Sequence, residues 1–272
     1  MKGVAYVAAI TGAVAMAAGA AQAQVAQGLE LGLQTYAYRY DESFHSDDFG
    51  SGSISDDGQF YGFSVEYGRP VGGWSFEARF RYGQGEVDYR SSEGDRIDDV
   101  SQFSGQLELL AGRPFANAEG RTITPYAGLG SRVLFDESGG RVTNTGLEGY
   151  DREISYAYVP LGLAVRQTMT GGLDAVVYAQ FNWVVGGASE SDFGPEGGPL
   201  VELEFEGGHG WEAGVTVSRP LGRGRIGFGP FLRTWRINES APFLVEEDGV
   251  LFEIVEPENE TTELGLKLTY AF

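Results

Sequence analysis

Ten segments of this chain alternate apolar with small or polar residues in steps of two, the period that places one residue set on each face of a β-strand. They lie near 28–40, 59–69, 74–86, 100–112, 122–135, 154–166, 173–185, 208–219, 225–237 and 261–272. The clearest carries Trp74, Phe76, Ala78, Phe80 and Tyr82 on one face and Ser75, Glu77, Arg79 and Arg81 on the other. One such strand suits a sandwich and a barrel equally, so the connections decide. After the second, fourth, sixth and eighth segments come short turns: Pro70 to Gly73, Pro114 to Arg121, Met169 to Gly172 and Pro220 to Gly224. After the odd-numbered segments come longer stretches rich in Gly, Ser, Asp and Glu. An even strand count with strictly alternating connections, both ends of the strand series lying on the short-turn side, fits an all-β, antiparallel up-and-down barrel; Greek-key sandwiches have no reason to obey it. Ten strands is the expected number, with eight or twelve as the alternatives.

The first residues point to export. Lys2 precedes an apolar and small-residue run from Val4 to Ala21, which ends in Ala21-Gln22-Ala23. That is the pattern of a secretory signal peptide with a small-x-small cleavage site, so residues 1–23 are expected to be removed and 24–272 to form the barrel domain. No later stretch approaches the ~20 apolar residues that a helical span requires. A membrane form of this chain therefore crosses with strands, which satisfy their backbone groups only when the sheet closes. With no cysteine, disulfides contribute nothing to its stability.

Charge follows the same division as the connections. The five long connections, at 41–57, 86–99, 136–153, 186–207 and 238–260, hold 31 Asp and Glu against four arginines. The short turns and adjoining strand ends reverse the sign, with Arg69, Arg113, Arg121, Arg166, Arg219, Arg223 and Arg225 against Glu119. Most of the formal charge of −20 thus gathers at one end of the molecule, and the acidic balance excludes nucleic acid as a natural partner.

The last segment places Leu264, Leu266, Leu268, Tyr270 and the terminal Phe272 on one face. This resembles the C-terminal signal of outer-membrane β-barrels, which end in an aromatic residue on an alternating strand. Thr124 to Gly130 and Tyr36-Ala37-Tyr38-Arg39-Tyr40 are also similar to strands of the small outer-membrane β-barrel proteins of Gram-negative bacteria. The resemblance implies residence in the cell outer membrane, contact with its lipid, and recognition by periplasmic chaperones and the barrel-assembly machinery. Leu268, Tyr270 and Phe272 would be the assembly signal.

If the more apolar face of each strand meets lipid, the outward set includes Leu29, Leu31, Leu33, Val65, Phe76, Phe80, Leu107, Leu129, Leu161, Leu163, Val177, Phe181, Val215, Val217, Phe228 and Leu266, with no charge among them. An Arg or Lys on that face at mid-depth would cost about 2–4 kcal/mol. Trp74 near the turns and Trp183 and Trp211 near the loops suit two aromatic girdles. The opposite face collects Glu30, Glu66, Glu77, Glu108, Asp174, Glu212 and Glu263 with Arg79, Arg81, Arg132, Arg166, Arg233 and Lys267. Screened from bulk water, these charges are expected to pair in a structural network. Tyr36, Tyr38, Tyr126, Tyr156 and Tyr178 share that face and fill space, so a largely packed lumen is expected.

Barrels of this size include enzymes, among them the omptin proteases and lipid-A-modifying enzymes, whose sites use histidine with acids or serine. Only His45 and His209 occur here. His45 lies in a Gly/Ser-rich connection, and His209 sits between glycines with no serine beside it, although Glu206 or Glu212 could pair with it. No catalytic set and no cofactor motif emerges. Asp56-Asp57-Gly58, Asp98-Asp99 and Glu246-Glu247-Asp248-Gly249 offer hard oxygen donors for divalent cations without a full calcium-loop spacing. The expectation is a non-enzymatic outer-membrane barrel with acidic external loops and a structural or surface-interaction role. A narrow passive channel and an outer-membrane hydrolase are the alternatives.

Overall fold

In the computed structural model, residues 28–46, 50–193, 200–247 and 250–272 are described; the expected signal segment 1–23 lies outside them. Ten antiparallel strands close into a barrel. In chain order they are β1 (Gly28–Ser46), β2 (Gly50–Val71), β3 (Trp74–Ser91), β4 (Arg96–Gly112), β6 (Arg121–Glu137), β7 (Asp151–Thr168), β8 (Asp174–Asp192), the pair β9 (Leu200–Phe205) and β10 (Gly208–Leu221), β11 (Gly224–Ile237) and β14 (Glu258–Ala271). The strands β9 and β10 run along the same neighbour, β8, and together make the eighth stave, broken at Glu206-Gly207. Two residues, β5 (Phe115–Ala116), pair with β6 in the turn after β4, and β12 (Phe243–Glu247) with β13 (Val250–Ile254) forms a separate hairpin. Closure is made by β1 on β14, in register from Glu30 opposite Ala271 to Ser43 opposite Glu258.

Turn chemistry fixes the registers at one end. Val71 pairs with Trp74 across Gly72-Gly73, whose φ values of 59° and 84° are those of a type I′ hairpin, open only to glycine without strain. Leu221 pairs with Gly224 across Gly222-Arg223, with a positive φ at Gly222 alone, as a type II′ turn requires. Because side-chain period is two, a one-residue slip at either turn would send the charged face into lipid.

At the opposite end the strands run well beyond the ten segments read from the sequence. The connections at 41–57 and 86–99 were expected to be loops, but β1 and β2 stay paired out to Ser46 opposite Gly50, and β3 and β4 to Arg90 opposite Arg96. Asp56 and Asp57 consequently lie on a strand, Asp56 buried in the lumen and Asp57 outside. Asp98 and Asp99 lie near a bulge in β4, with Asp99 at a φ of 58°. Polar alternation looks like a loop in sequence because both faces of these arms meet water or a polar interior.

The outer surface shows where lipid begins and ends. Leu31, Leu33, Phe63, Phe76, Leu109, Leu129, Leu163, Phe228 and Leu266 are exposed on it. Further along the same faces come Arg39, Asp41, Asp57, Asp88, Arg236 and Glu260. On β2 the apolar series ends at Tyr61, after which Gln59 and Asp57 face outward. Trp74 at the turn end, and Trp183 and Trp211 at the loop end, are all exposed, where amphipathic rings meet headgroups. A closed sheet with a continuous apolar belt is the surface of a membrane barrel. No helix of the described residues is long and apolar enough to cross.

Inside, glycine makes room for aromatic bulk. A Cβ at Gly130 would collide with the ring of Tyr158, and one at Gly162 with the ring of Tyr126. The many glycines in the strands therefore serve packing as well as turns. With the belt and turns so arranged, an epitope tag inserted after Gly140 should be accessible on intact cells and one between Gly171 and Gly172 should not; surface labelling with the reverse pattern would invert the topology.

Candidate functional site

Alternation brings one residue set from every stave into the lumen, and that set falls into layers. The layer nearer the turns is ionic. Arg79 from β3 meets Glu77, Glu66 at 3.8 Å and Glu108 at 3.6 Å. Arg81, two residues on, donates from Nη1 to Glu212 Oε2 at 2.9 Å and faces Glu108 at 3.8 Å. Arg132 from β6 and Arg233 from β11 both donate to Glu263, each at 2.8 Å, and Arg233 also lies 3.7 Å from Glu212. Lys267 bridges Glu66 at 3.1 Å and Glu30 at 3.8 Å. Asp174, at the turn end, is 3.2 Å from Arg225 and 3.7 Å from Arg166.

The structure thus places Glu66, Glu77, Arg79, Arg81, Glu108, Arg132, Glu212, Arg233, Glu263 and Lys267 in one connected interior network, while Asp174 sits apart near the turn-side mouth. Neutral donors complete it. Tyr158 Oη and Gln180 Nε2 donate to Glu108 Oε1 at 3.0 and 2.7 Å, and Tyr178 Oη donates to Glu212 Oε1 at 2.8 Å. Glu108 Oε2 accepts no hydrogen bond but lies between the Arg79 and Arg81 guanidinium groups, so its stabilisation there is that of an ion pair. Glu66, Glu77, Glu108, Glu212 and Glu263 are thus each engaged by a cation.

Above it lies an aromatic layer: Tyr36, Tyr38, Phe60, Tyr156, Tyr158, Phe231 and Trp235, all buried. Tyr38 stacks on Phe60 with centroids 4.3 Å apart, and Trp235 meets Tyr158 edge-on at 4.9 Å. The Arg132 guanidinium sits over the Trp235 ring at 5.1 Å and ties the two layers together. Trp235 was not singled out in the sequence, though Phe231, Arg233, Trp235 and Ile237 alternate on the inward face of β11. Below the ionic layer a polar vestibule of about 420 Å³ opens at the turn end, lined by Glu30, Arg166, Arg223, Arg225, Lys267 and others.

A third layer lies beyond the aromatic plug, above the lipid belt. Arg152 from β7 is bound by Glu42 and lies 3.4 Å from Glu256, and Tyr40 donates to Glu42. Beside them Gln102 Nε2 from β4 donates to Asp56 Oδ2 at 2.7 Å and to Asp136 Oδ2 at 2.8 Å. Burial and the neighbouring Asp136 carboxylate push Asp56 up to about 7, against the partial opposition of Arg152. Burial likewise raises Asp136 and Glu256.

His209 is not assembled with this chemistry. His209 is exposed on the outer face, its ring 6.3 Å from that of Phe181, whereas Glu212 points into the lumen; an odd separation on a strand keeps them on opposite faces. Backbone pairing puts His45 opposite Ser51. Among the described residues no three His, Cys, Asp or Glu side chains gather as a metal-ligand group. Of the Glu246-Glu247-Asp248-Gly249 stretch, Glu246 and Glu247 belong to β12 and Asp248-Gly249 lie outside the described residues. Leu268, Tyr270 and Phe272 occupy the closing strand and the chain end, with Tyr270 edge-on to Phe272 at 4.9 Å.

No protein-family model matches the sequence, and comparison with curated proteins finds no match. Among solved structures, the chain is similar to the outer membrane protease OmpT from Escherichia coli, with a TM-score of 0.62 at 9% identity over 90% of this chain and 96% of that one. Weaker likenesses include the β domain of the Bordetella autotransporter BrkA, with a TM-score of 0.41 at 13% identity over 90% and 99% of the chains. Another is Neisserial surface protein A, with a TM-score of 0.34 at 12% identity over 90% and 97%. The fold is that of the outer-membrane β-barrel proteins of Gram-negative bacteria. The apolar belt is that of a membrane-spanning barrel.

Two outcomes follow from the geometry. Arg81→Ala leaves Glu108 and Glu212 buried with one fewer partner and should destabilise the barrel by about 3–5 kcal/mol, read from urea unfolding of the protein in micelles; adding Glu212→Ala should recover part of the loss. The second concerns pH. An acid raised in the folded state binds more protons folded than unfolded, so its contribution is full below the ordinary Asp value and declines as pH rises toward about 7. In chelator-containing buffer the unfolding midpoint should fall over that range, and less steeply in Asp56→Asn.

Proposed function

We propose that this protein is a plugged, non-catalytic outer-membrane barrel that presents acidic loops at the surface. The observation that carries the reading is the aromatic layer seated on the ion-pair network. Trp235, Tyr158, Tyr36 and Phe60 are each no more than 2% exposed, and they lie across the path that an ion or solute would follow. A channel would need a continuous polar passage, whereas the polar vestibule and the polar outer chamber are separated by this layer. The ionic layer consists of charges engaged with one another, which suits rigidity better than turnover. The likeness to a protease concerns the fold, and activity belongs to sites grafted on a fold.

Planar bilayers containing the purified barrel should remain electrically silent, and a peptide library should be recovered uncut after incubation with it. A reproducible unitary conductance would favour the narrow-channel reading, and specific cleavage would favour the hydrolase.

A further inference from the structure

The ionic layer inside the barrel gives its carboxylates cationic neighbours, but the outer chamber breaks that rule. Among the described residues its one guanidinium, Arg152, is committed to Glu42 and Glu256. Asp56 and Asp136, from β2 and β6, share one neutral donor, Gln102 Nε2, with the Ser138 hydroxyl beside Asp136. Two carboxylate oxygens that accept from the same nitrogen are held close together, and a buried pair of like charges needs a compensating cation or proton.

A second observation points to what fills that need. Four buried oxygen atoms in this neighbourhood accept or donate no hydrogen bond: Tyr38 Oη, Asp56 Oδ1, Gln102 Oε1 and Asp136 Oδ1. Tyr38 is 2% and Gln102 6% exposed. Tyr38, Gln102 and Asp136 also line one small void of about 10 Å³, room for a single water or a single ion. Buried polar atoms are almost always satisfied; three of these oxygens belong to residues lining the void, which Arg152 also borders, and the fourth, on Asp56, adjoins them through Gln102, so that together they are a set of hard donors.

We propose that Asp56, Asp136, Gln102 and Tyr38 form a binding site for one divalent cation of the calcium class at the head of the lumen. The carboxylates supply the charge; on binding, the Gln102 amide turns over so that its oxygen replaces the Nε2 now facing them, the phenol oxygen adds a second neutral ligand, and water completes the six to eight oxygens such an ion takes. Asp136 is only half-buried, so the ion enters from the loop side. Binding ties β1, β2, β4 and β6 together above the membrane. The groups facing the site are Glu42, Glu256, Arg152, Tyr40 and Tyr89, and their net charge with the two aspartates is negative. The raised Asp56 carboxyl is consistent with this, since protons compete for the place.

Terbium is a calcium-sized probe whose emission is excited through nearby tyrosine. Titrated into the full-length barrel in micelles at pH 7.5 (roughly the range in which Asp56 ionises), it should give sensitised emission that saturates at one ion per chain and is displaced by calcium. Asp56→Asn and Asp136→Asn should each weaken binding about tenfold or more, as loss of a charged ligand from an oxygen site does. Calcium should also raise the unfolding midpoint of the wild type and not of these variants. Unchanged terbium binding in both variants would put the ion on the loops and overturn the site. So would a wild type indifferent to calcium whose Asn variants are more stable, the behaviour of a carboxyl pair sharing a proton. Should either Asn variant not fold, Tyr38→Phe removes only the phenol oxygen; calcium affinity must then drop in the folded barrel, and an unchanged affinity counts equally against the site.

Discussion

Pairing of β1 with β14 is the interaction on which the rest depends. In hydrocarbon an open sheet edge would leave a row of backbone N–H and C=O groups without partners, at several kcal/mol each. Closure removes the edge, and it also fixes what each side of the sheet must be. Every second residue is sent to lipid and every other one to an interior cut off from water. The uncharged run of Leu, Val and Phe outside and the charged residues inside are therefore two results of one geometric condition.

Within that interior, charge can persist only in company. Arg79 and Arg81 stand two residues apart on β3 and face four acids, Glu66, Glu77, Glu108 and Glu212, drawn from β2, β3, β4 and β10. Most of these contacts join neighbouring staves, but Arg81 to Glu212 and Arg132 to Glu263 join staves that are not neighbours in the sheet and brace the barrel across its interior. The aromatic layer above them adds packing where hydrogen bonding ends. Trp235 touches both, through Arg132 on one side and Tyr156 and Tyr158 on the other.

Strand number, membrane belt and turn ends were legible because each rests on a local rule: period two, two-residue turns with glycine, and absence of charge toward lipid. The arms above the membrane were not. At Asp56-Asp57-Gly58 and Asp98-Asp99, acids and glycine are the ordinary vocabulary of turns, and nothing local says that the strands continue. Which residues share the lumen face could be read from parity, but which pairs meet could not. Arg132 and Glu263 are 131 positions apart and come together only through barrel closure. Trp235 went unremarked because a tryptophan on a barrel strand fits an interfacial girdle as well as a lumen, and only its parity with Arg233 separates the two.

The layers also constrain where this protein can act. Molecules arriving at the turn end meet a vestibule walled by Glu30 and Glu66 and by a larger number of basic side chains, among them Arg166, Arg223, Arg225 and Lys267. Those arriving at the loop end meet a chamber in which Asp56 and Asp136 share Gln102 as a donor. Between the two lies the layer of buried rings on which the plugged reading rests. Beyond the lipid, strand pairing holds the extended arms of β1 to β4 in fixed register. Burial there comes from strand pairing and the inward Tyr40, Phe60 and Val87, which makes the arms a stiff rim on which the acidic outer connections are mounted.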